Sequence, residues 1–312
     1  MTGIENEQKV VKWLDGTEHW VNRGPSNDIK LFLWHKPRRS GTRYAGTILF
    51  IHGSSQAAQP TYDLHVPGVA DTSVMQWFAE RGFDTWCLDN EGYGRSSKHR
   101  DINFNISNGV DDIAAAASYV IERSASPKLM MYGISSGALK VALFAQRHPD
   151  LVDRIALDAF VWTGKGSPTL EERAKRLPEW RSKNRRPLNR EFITTIFTRD
   201  HPGSADDALV SVYADAVLAL DDSVPTGTYL DMCANLPIVD PVQVKAPTLV
   251  MRGEFDGIAT YQDISEFFAL LPSSDKQLSI MPGVSHASIQ GKNFLLAFHI
   301  VHGFFSMPPR KY

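Results

Sequence analysis

The feature that most constrains this chain is the pentapeptide Gly133-Ile134-Ser135-Ser136-Gly137, set between an apolar run and a helical pattern. Residues 128–132 (KLMMY) read as a strand, and residues 136–147 read as a helix. A bare G-x-S-x-G is common by chance, so the strand–turn–helix setting carries more weight than the letters. Such a turn holds its middle residue in a strained conformation with the side chain projecting. Glycines on either side let neighbouring backbone pass closely. A serine there can also serve only as a helix cap. The difference is decided by whether a base and an acid recur at equivalent places.

The rest of the chain repeats this rhythm. Residues 47–53 (TILFIHG), 83–89 (FDTWCLD), 154–160 (RIALDAF), 247–253 (PTLVMRG) and 277–283 (QLSIMPG) read as further strands, the first with the continuous apolar pattern of a strand buried on both faces. Residues 18–24 and 30–35 read as two short strands around the turn PSND. Helices are predicted over 71–81, starting at Asp71 or Thr72, after Asn108 along GVDDIAAAASYVIERS, and over 291–305. This alternation predicts an α/β fold, with a mostly parallel central sheet and helices on both faces. Residues 161–245 break the rhythm with helical segments, prolines and uneven charge. They are expected to form a helical lid inserted between a first core part, 1–160, and a second, 246–312. The plainer alternative is a run of solvated helices over the sheet.

In a parallel sheet, the loops after the strands gather at one edge. His286 lies in PGVSHAS, after the last strand, where it can take the Ser135 proton and return it to a leaving group. His299 and His302 fall inside the last helix, His148 looks like a helix-end cap, and His99 and His201 lie in polar loops. Asp256, after strand 247–252, can orient the imidazole and stabilise its cation. Glu254 and Asp158 compete with it, the latter because the same sheet edge presents it. The negative oxygen of a tetrahedral intermediate needs preorganised donors. The Ser136 N–H, at the start of a helix, is one. The second is expected in His52-Gly53-Ser54-Ser55-Gln56, from the Ser54 N–H or, less favoured, that of Ser55. The Ser54 or Gln56 side chain is a candidate third donor. His52 is expected to buttress the loop.

These motifs, HGSS at 52–55, DNEGYGRSS at 89–97, GISSG at 133–137, GEFD at 253–256 and SH at 285–286, resemble the α/β-hydrolase superfamily in its lidded, serine esterase-like form. The resemblance runs over nearly the whole chain outside 161–245. It implies a Ser135–Asp256–His286 triad, in the order serine, acid, histidine. It also implies acyl transfer from a small to medium ester, lactone or amide to water, with no metal or organic cofactor. The 89–97 segment is implied to be a structural loop near the entrance. A serine nucleophile argues against the dehalogenase and epoxide hydrolase branches, which carry aspartate. Rival readings are carbon–carbon bond hydrolysis, acyl transfer to another acceptor, and a non-catalytic ligand-binding protein.

Composition removes other classes. A formal net charge of −2 provides no field for nucleic acid or an acidic membrane. No run of 18 apolar residues predicts a membrane span. Two cysteines, Cys87 and Cys233, give no disulfide framework, and no Cys/His cluster suggests zinc. With no apolar stretch in MTGIENEQKVVKW to act as an export signal, a cytoplasmic protein is expected. Oligomeric state stays open. Residues 171–191 hold eight Arg/Lys against four Glu, while 200–222 hold six Asp and no Lys or Arg. A solvated helix face is the first expectation for Arg173 to Arg190. Any of these arginines facing the pocket would favour a carboxylate-bearing substrate.

Overall fold

The computed structural model describes residues 15–24, 26 and 28–308. The N-terminal stretch read for an export signal, and Pro25 and Asn27 of the first turn, lie outside the described residues. The chain opens with β1 (Thr17–Arg23) and β2 (Ile29–Lys36), and continues through β3 (Gly46–Ile51), α1 (Ala58–Tyr62), α2 (Val74–Ala79) and β4 (Phe83–Asp89). Next come α3 (Ile106–Ile121), β5 (Leu129–Ile134), α4 (Ser136–Arg147) and β6 (Val152–Asp158). The middle segment carries α5 (Pro168–Ala174), α6 (Leu177–Ser182), β7 (Arg185–Pro187), α7 (Arg190–Thr198), α8 (Asp207–Leu218), β8 (Ser223–Pro225) and α9 (Gly227–Ala234). The chain closes with β9 (Thr248–Gly253), α10 (Tyr261–Leu270), β10 (Lys276–Met281) and α11 (Phe294–Phe305).

Eight strands form one sheet in the order β1-β2-β4-β3-β5-β6-β9-β10. Only β2 runs against its neighbours, and β4, β3, β5, β6, β9 and β10 are parallel. Side-chain alternation along the strands sorts the apolar residues into two cores. Leu49, Ile51, Leu129, Met131, Ile155 and Leu157 face a core completed by Val110, Ile113 and Ala117 of α3 and Leu139, Ala142 and Leu143 of α4. Ile48, Phe50, Met130 and Tyr132 face the other way, onto Trp77 and Phe78 of α2 and Phe298, Val301 and Phe305 of α11. Every residue of β3, β5 and β9 is buried, which is why these segments read as continuous apolar runs.

Two helix starts differ from the sequence reading. Asp71 has a left-handed backbone (φ 60°), so α2 starts later, capped by Ser73, whose Oγ accepts from the Gln76 N–H at 3.0 Å. Helix α3 is capped by Asn105 instead of Asn108. The two asparagines cap reciprocally, each side chain accepting from the other's backbone N–H. Residues 161–245 contribute no strand to the main sheet; β7 and β8 pair only with each other. Part of this segment packs as a third apolar cluster, with Ile193, Phe197, Leu209, Tyr213 and Val217 against Leu64, Val66, Tyr93 and Phe104.

Candidate active site

The turn between β5 and α4 places Ser135 at φ 58° and ψ −124°, a conformation costly to any residue with a Cβ. The surroundings hold it there. The Ser135 N–H donates to the Asp158 carbonyl at 2.9 Å. A Cβ on Gly137 would lie 2.2 Å from the Ile51 carbonyl oxygen, and one on Gly133 would lie 2.4 Å from that of Gly137. Both glycines of the pentapeptide are therefore required by close approach. Ser136 opens α4, so its N–H has no partner within the helix.

The loops after β9 and β10 bring Asp256 and His286 to the same edge. His286 Nε2 lies 3.1 Å from Ser135 Oγ, and its Nδ1 lies 2.9 Å from Asp256 Oδ1. An ionised carboxylate only accepts, so Nδ1 carries the proton and Nε2 is left to accept from the serine hydroxyl. Asp256 Oδ1 also receives the N–H groups of Ile258 and Ala259, at 2.8 and 3.1 Å. Burial by itself would raise this carboxyl. The facing His286 and the three hydrogen bonds outweigh burial and hold it below the usual range.

The competing residues are occupied elsewhere. Asp158 is buried, and its Oδ2 accepts from the hydroxyls of Tyr132 and Ser288. Burial raises its carboxyl to about 6. Glu254 accepts the Gly283 N–H at 2.8 Å at the rim. His299 and His302 pack edge-on against Trp77, His201 stacks on Phe255, and His148 caps α4. The histidine loop is tied down on three sides. Ser288 reaches Asp158, Ser204 Oγ donates to Ser285 Oγ at 2.9 Å, and Gln290 Nε2 donates to the Thr61 carbonyl at 2.6 Å.

The loop after β3 lies alongside. A Cβ on Gly53 would come within 3.5 Å of Ser135 Cβ, and Ser54 Oγ donates to Ser136 Oγ at 2.8 Å. His52 is fully buried and bridges two loops. Its Nδ1–H donates to the Gly53 carbonyl at 2.7 Å, and its Nε2 accepts the Asn90 N–H at 3.0 Å. Beneath it, buried Lys140 donates to the His52 carbonyl and to Asn90 Oδ1. The 89–97 segment serves as scaffold here. Asp89 caps the N–H groups of Ala58 and Arg95, and Tyr93 packs edge-on against His52.

Above Ser135 the middle segment closes a small pocket that opens in part to solvent. Core residues Ser54, Ser55, Gln56 and His286 face Arg173, Phe197, Arg199, Tyr213 and Tyr229 across it. Phe197 and Tyr213 of this segment line the pocket, and Phe192 lines an adjoining outer cleft. Trp162, Trp180 and Leu230 do not. Trp162 bonds the Val239 carbonyl and packs on Phe267, and Trp180 packs on Tyr229. Sequence reasoning missed Arg199 and Tyr229, which lie on helices with no motif to mark them. The basic cluster divides. Lys175, Arg176 and Arg190 make exposed ion pairs with Glu172, Glu179 and Asp215, whereas Arg173 and Arg186 turn inward.

A family model described as serine aminopeptidase, S33, matches residues 64–292, well over half of the sequence. The chain belongs to this family. The match takes in Ser135, Asp256 and His286, while the loop carrying Ser54 precedes it. Three solved structures illustrate the fold shared with this S33 chain. A soluble variant of monoglyceride lipase from Saccharomyces cerevisiae, in complex with a substrate analogue, is 16% identical (TM-score 0.70; 95% of this chain and 96% of that one). The malate-bound thermophilic esterase from Thermogutta terrifontis is 16% identical (TM-score 0.66; 92% and 97%). The enol-lactonase from Burkholderia xenovorans LB400 is 16% identical (TM-score 0.65; 93% and 100%). No curated protein matches the chain. The chain is an α/β-hydrolase-fold enzyme of the serine-hydrolase type. Among the described residues, no helix is long and apolar enough to cross a membrane.

Proposed function

We propose that this enzyme cleaves a small to medium ester, lactone or amide through an acyl-enzyme on Ser135. The observation that carries the reading is the continuous line from Ser135 Oγ to His286 Nε2, at 3.1 Å, and from His286 Nδ1 to Asp256 Oδ1, at 2.9 Å. Ser135 Oγ attacks the carbonyl carbon while its proton passes to His286 Nε2. The carbonyl π pair moves to oxygen, where the N–H groups of Ser136 and Ser54 receive it. Asp256 holds the resulting imidazolium. When the intermediate collapses, the bond to the leaving group breaks and His286 returns the proton to it. Water then gives a proton to His286 and attacks the acyl carbon. The second collapse expels Ser135 Oγ, which recovers its proton.

Residues 161–245 act as the lid. Their arginine and aromatic side chains roof Ser135 and restrict bulk water during acylation. Cys87 and Cys233 are both free, which supports the cytoplasmic placement. The test is intact-mass labelling with a fluorophosphonate. A single adduct mapping to Ser135, lost in Ser135→Ala, is expected. No adduct on folded enzyme, or one mapping to Ser136, would overturn the assignment.

A further inference from the structure

Three guanidinium groups converge on the pocket that holds Ser135. Arg173 comes from α5, Arg186 from β7, and Arg199 caps α7 at its C-terminus. Arg173 and Arg199 line the pocket itself, and no Asp or Glu is among the lining side chains. The same two arginines also line an outer cleft with Glu172, Asp200, Phe192 and Phe255, so they stand where that cleft meets the nucleophile pocket, its acidic groups on the outer side.

Their charges are poorly neutralised. Among the described residues, neither Arg173 nor Arg186 has a carboxylate within ion-pair distance. Arg199 Nε meets Asp200 Oδ1 at 3.2 Å, but its Nη2 is buried with no hydrogen-bond partner. Arg186 Nη2 donates to Ser55 Oγ at 2.7 Å and to the Ser54 carbonyl at 3.1 Å, while its Nε is buried and unpartnered. Arg173 and Arg186 both sit over the Tyr229 ring, 4.3 and 4.1 Å from its centre, and Tyr229 Oη lies 3.3 Å from Ser55 Oγ. Burial alone would raise the Tyr229 phenol, but the Arg173 and Arg186 cations outweigh it and draw the phenol down to about 8. Buried cationic N–H groups without acceptors are costly, and a planar carboxylate supplies two acceptor oxygens matched to the guanidinium fork.

We propose that the pocket binds the carboxylate of a monoanionic substrate, such as the half-ester or half-amide of a dicarboxylic acid, with Arg173 and Arg199 clasping it and Arg186 adding positive charge from the Ser55 side. This rests on the serine-hydrolase reading of the same pocket and names its substrate class. A substrate with a free ammonium group there would meet three cations, an arrangement that like-charge repulsion disfavours.

The test compares mono-(4-nitrophenyl) glutarate with its neutral methyl diester and with a 4-nitrophenyl ester bearing a free amine. Wild-type enzyme is expected to give kcat/KM about 10-fold or more higher for the monoanion than for the neutral ester at low salt. The amine ester should be the poorest of the three. Arg173→Gln and Arg199→Gln should each reduce the anionic-to-neutral ratio by about 10-fold. Glutarate should inhibit wild type competitively and inhibit the variants more weakly. Equal kcat/KM for the two glutarates in wild type, with Ser135 still labelled by fluorophosphonate, would overturn the anion site alone. No turnover of any ester and no labelling would overturn the serine-hydrolase reading first. The wild-type comparison needs no variant to fold.

Discussion

Replacing Asp256 by asparagine isolates the charge that the site places behind His286. Asp256 Oδ1 accepts from three donors, His286 Nδ1–H and the N–H groups of Ile258 and Ala259, while Oδ2 is buried without a partner. An asparagine can keep its oxygen at the first place, which retains the imidazole tautomer but removes the negative charge. If it flips, its NH₂ faces the two backbone donors and forces Nδ1 to accept. The imidazole proton then sits on Nε2, where it cannot take one from Ser135. Only the first arrangement is catalytically competent, and it lacks the ion pair. With charge centres about 4 Å apart and an effective dielectric near 20, the lost attraction is about 4 kcal/mol. At 1.36 kcal/mol per decade, kcat should fall by about 10³-fold. The assay is steady-state hydrolysis of a 4-nitrophenyl ester, with circular dichroism to check folding. The rate of fluorophosphonate labelling should fall in parallel. Asp158→Asn is the control, because Asp158 holds Tyr132 and Ser288 instead. A loss below about 10-fold in Asp256→Asn, or a greater loss in Asp158→Asn, would refute the reasoning.

Ser135→Ala should lower kcat by about 10³-fold or more, since covalent catalysis is lost while the oxyanion donors stay. Ser136→Ala should be far milder, losing the buried bond from Ser54 Oγ and about 1 kcal/mol of stability; comparable kinetic losses in both variants would contradict the assignment. Ser135→Gly should be more stable than Ser135→Ala, because only glycine relaxes at φ 58°; the gain of about 1–2 kcal/mol should appear as roughly 2–4 °C in Tm by scanning calorimetry. The Asp158 carboxyl is raised to about 6, above its unfolded value near 3.9, so the native state binds more protons in that window. This contribution to stability falls as pH rises from about 4 to 6, and Asp158→Asn should therefore gain Tm relative to wild type between pH 4.5 and 7. An unchanged difference across that range would show that Asp158 does not titrate there.

The candidate site was legible because its signals are local. The Gly133 to Gly137 turn is written in residues that a tight strand-to-helix junction demands. Of the other two candidate positions, Asp256 follows β9, which is buried throughout, and His286 follows the edge strand β10, which is mostly half-buried but ends in buried Met281. Parallel strands end at one edge, so chain order and strand position were enough to bring Ser135, Asp256 and His286 into one set of candidates. The choice between Asp256 and Asp158 was not legible. Asp158 ends β6 and Asp256 follows the neighbouring β9, and only the packing of the 282–293 loop turns His286 toward Asp256 and Ser288 toward Asp158. Helix starts also shifted where a cap on the chain's own side chains, such as Asn105 with Asn108, competed with a simpler reading.

The sequence by itself determined an α/β-hydrolase core, a candidate set of Ser135, His286, Asp256 and the rival Asp158 at one sheet edge, and a middle segment foreign to the sheet. Strand burial and turn sterics impose those patterns residue by residue. Only the tertiary structure decided what the middle segment presents to Ser135. Arg173 and Arg176 are three residues apart on neighbouring turns of chain, yet one faces the nucleophile pocket and the other pairs with Glu179 in solvent. Arg186 reaches Ser55 because β7 pairs with β8, and Arg199 reaches the pocket because it ends α7. The orientation of short helices is set by the surfaces they pack on, and those contacts span more than a hundred residues of chain. No local pattern encodes them, so the charge of the pocket emerges only when the chain is folded.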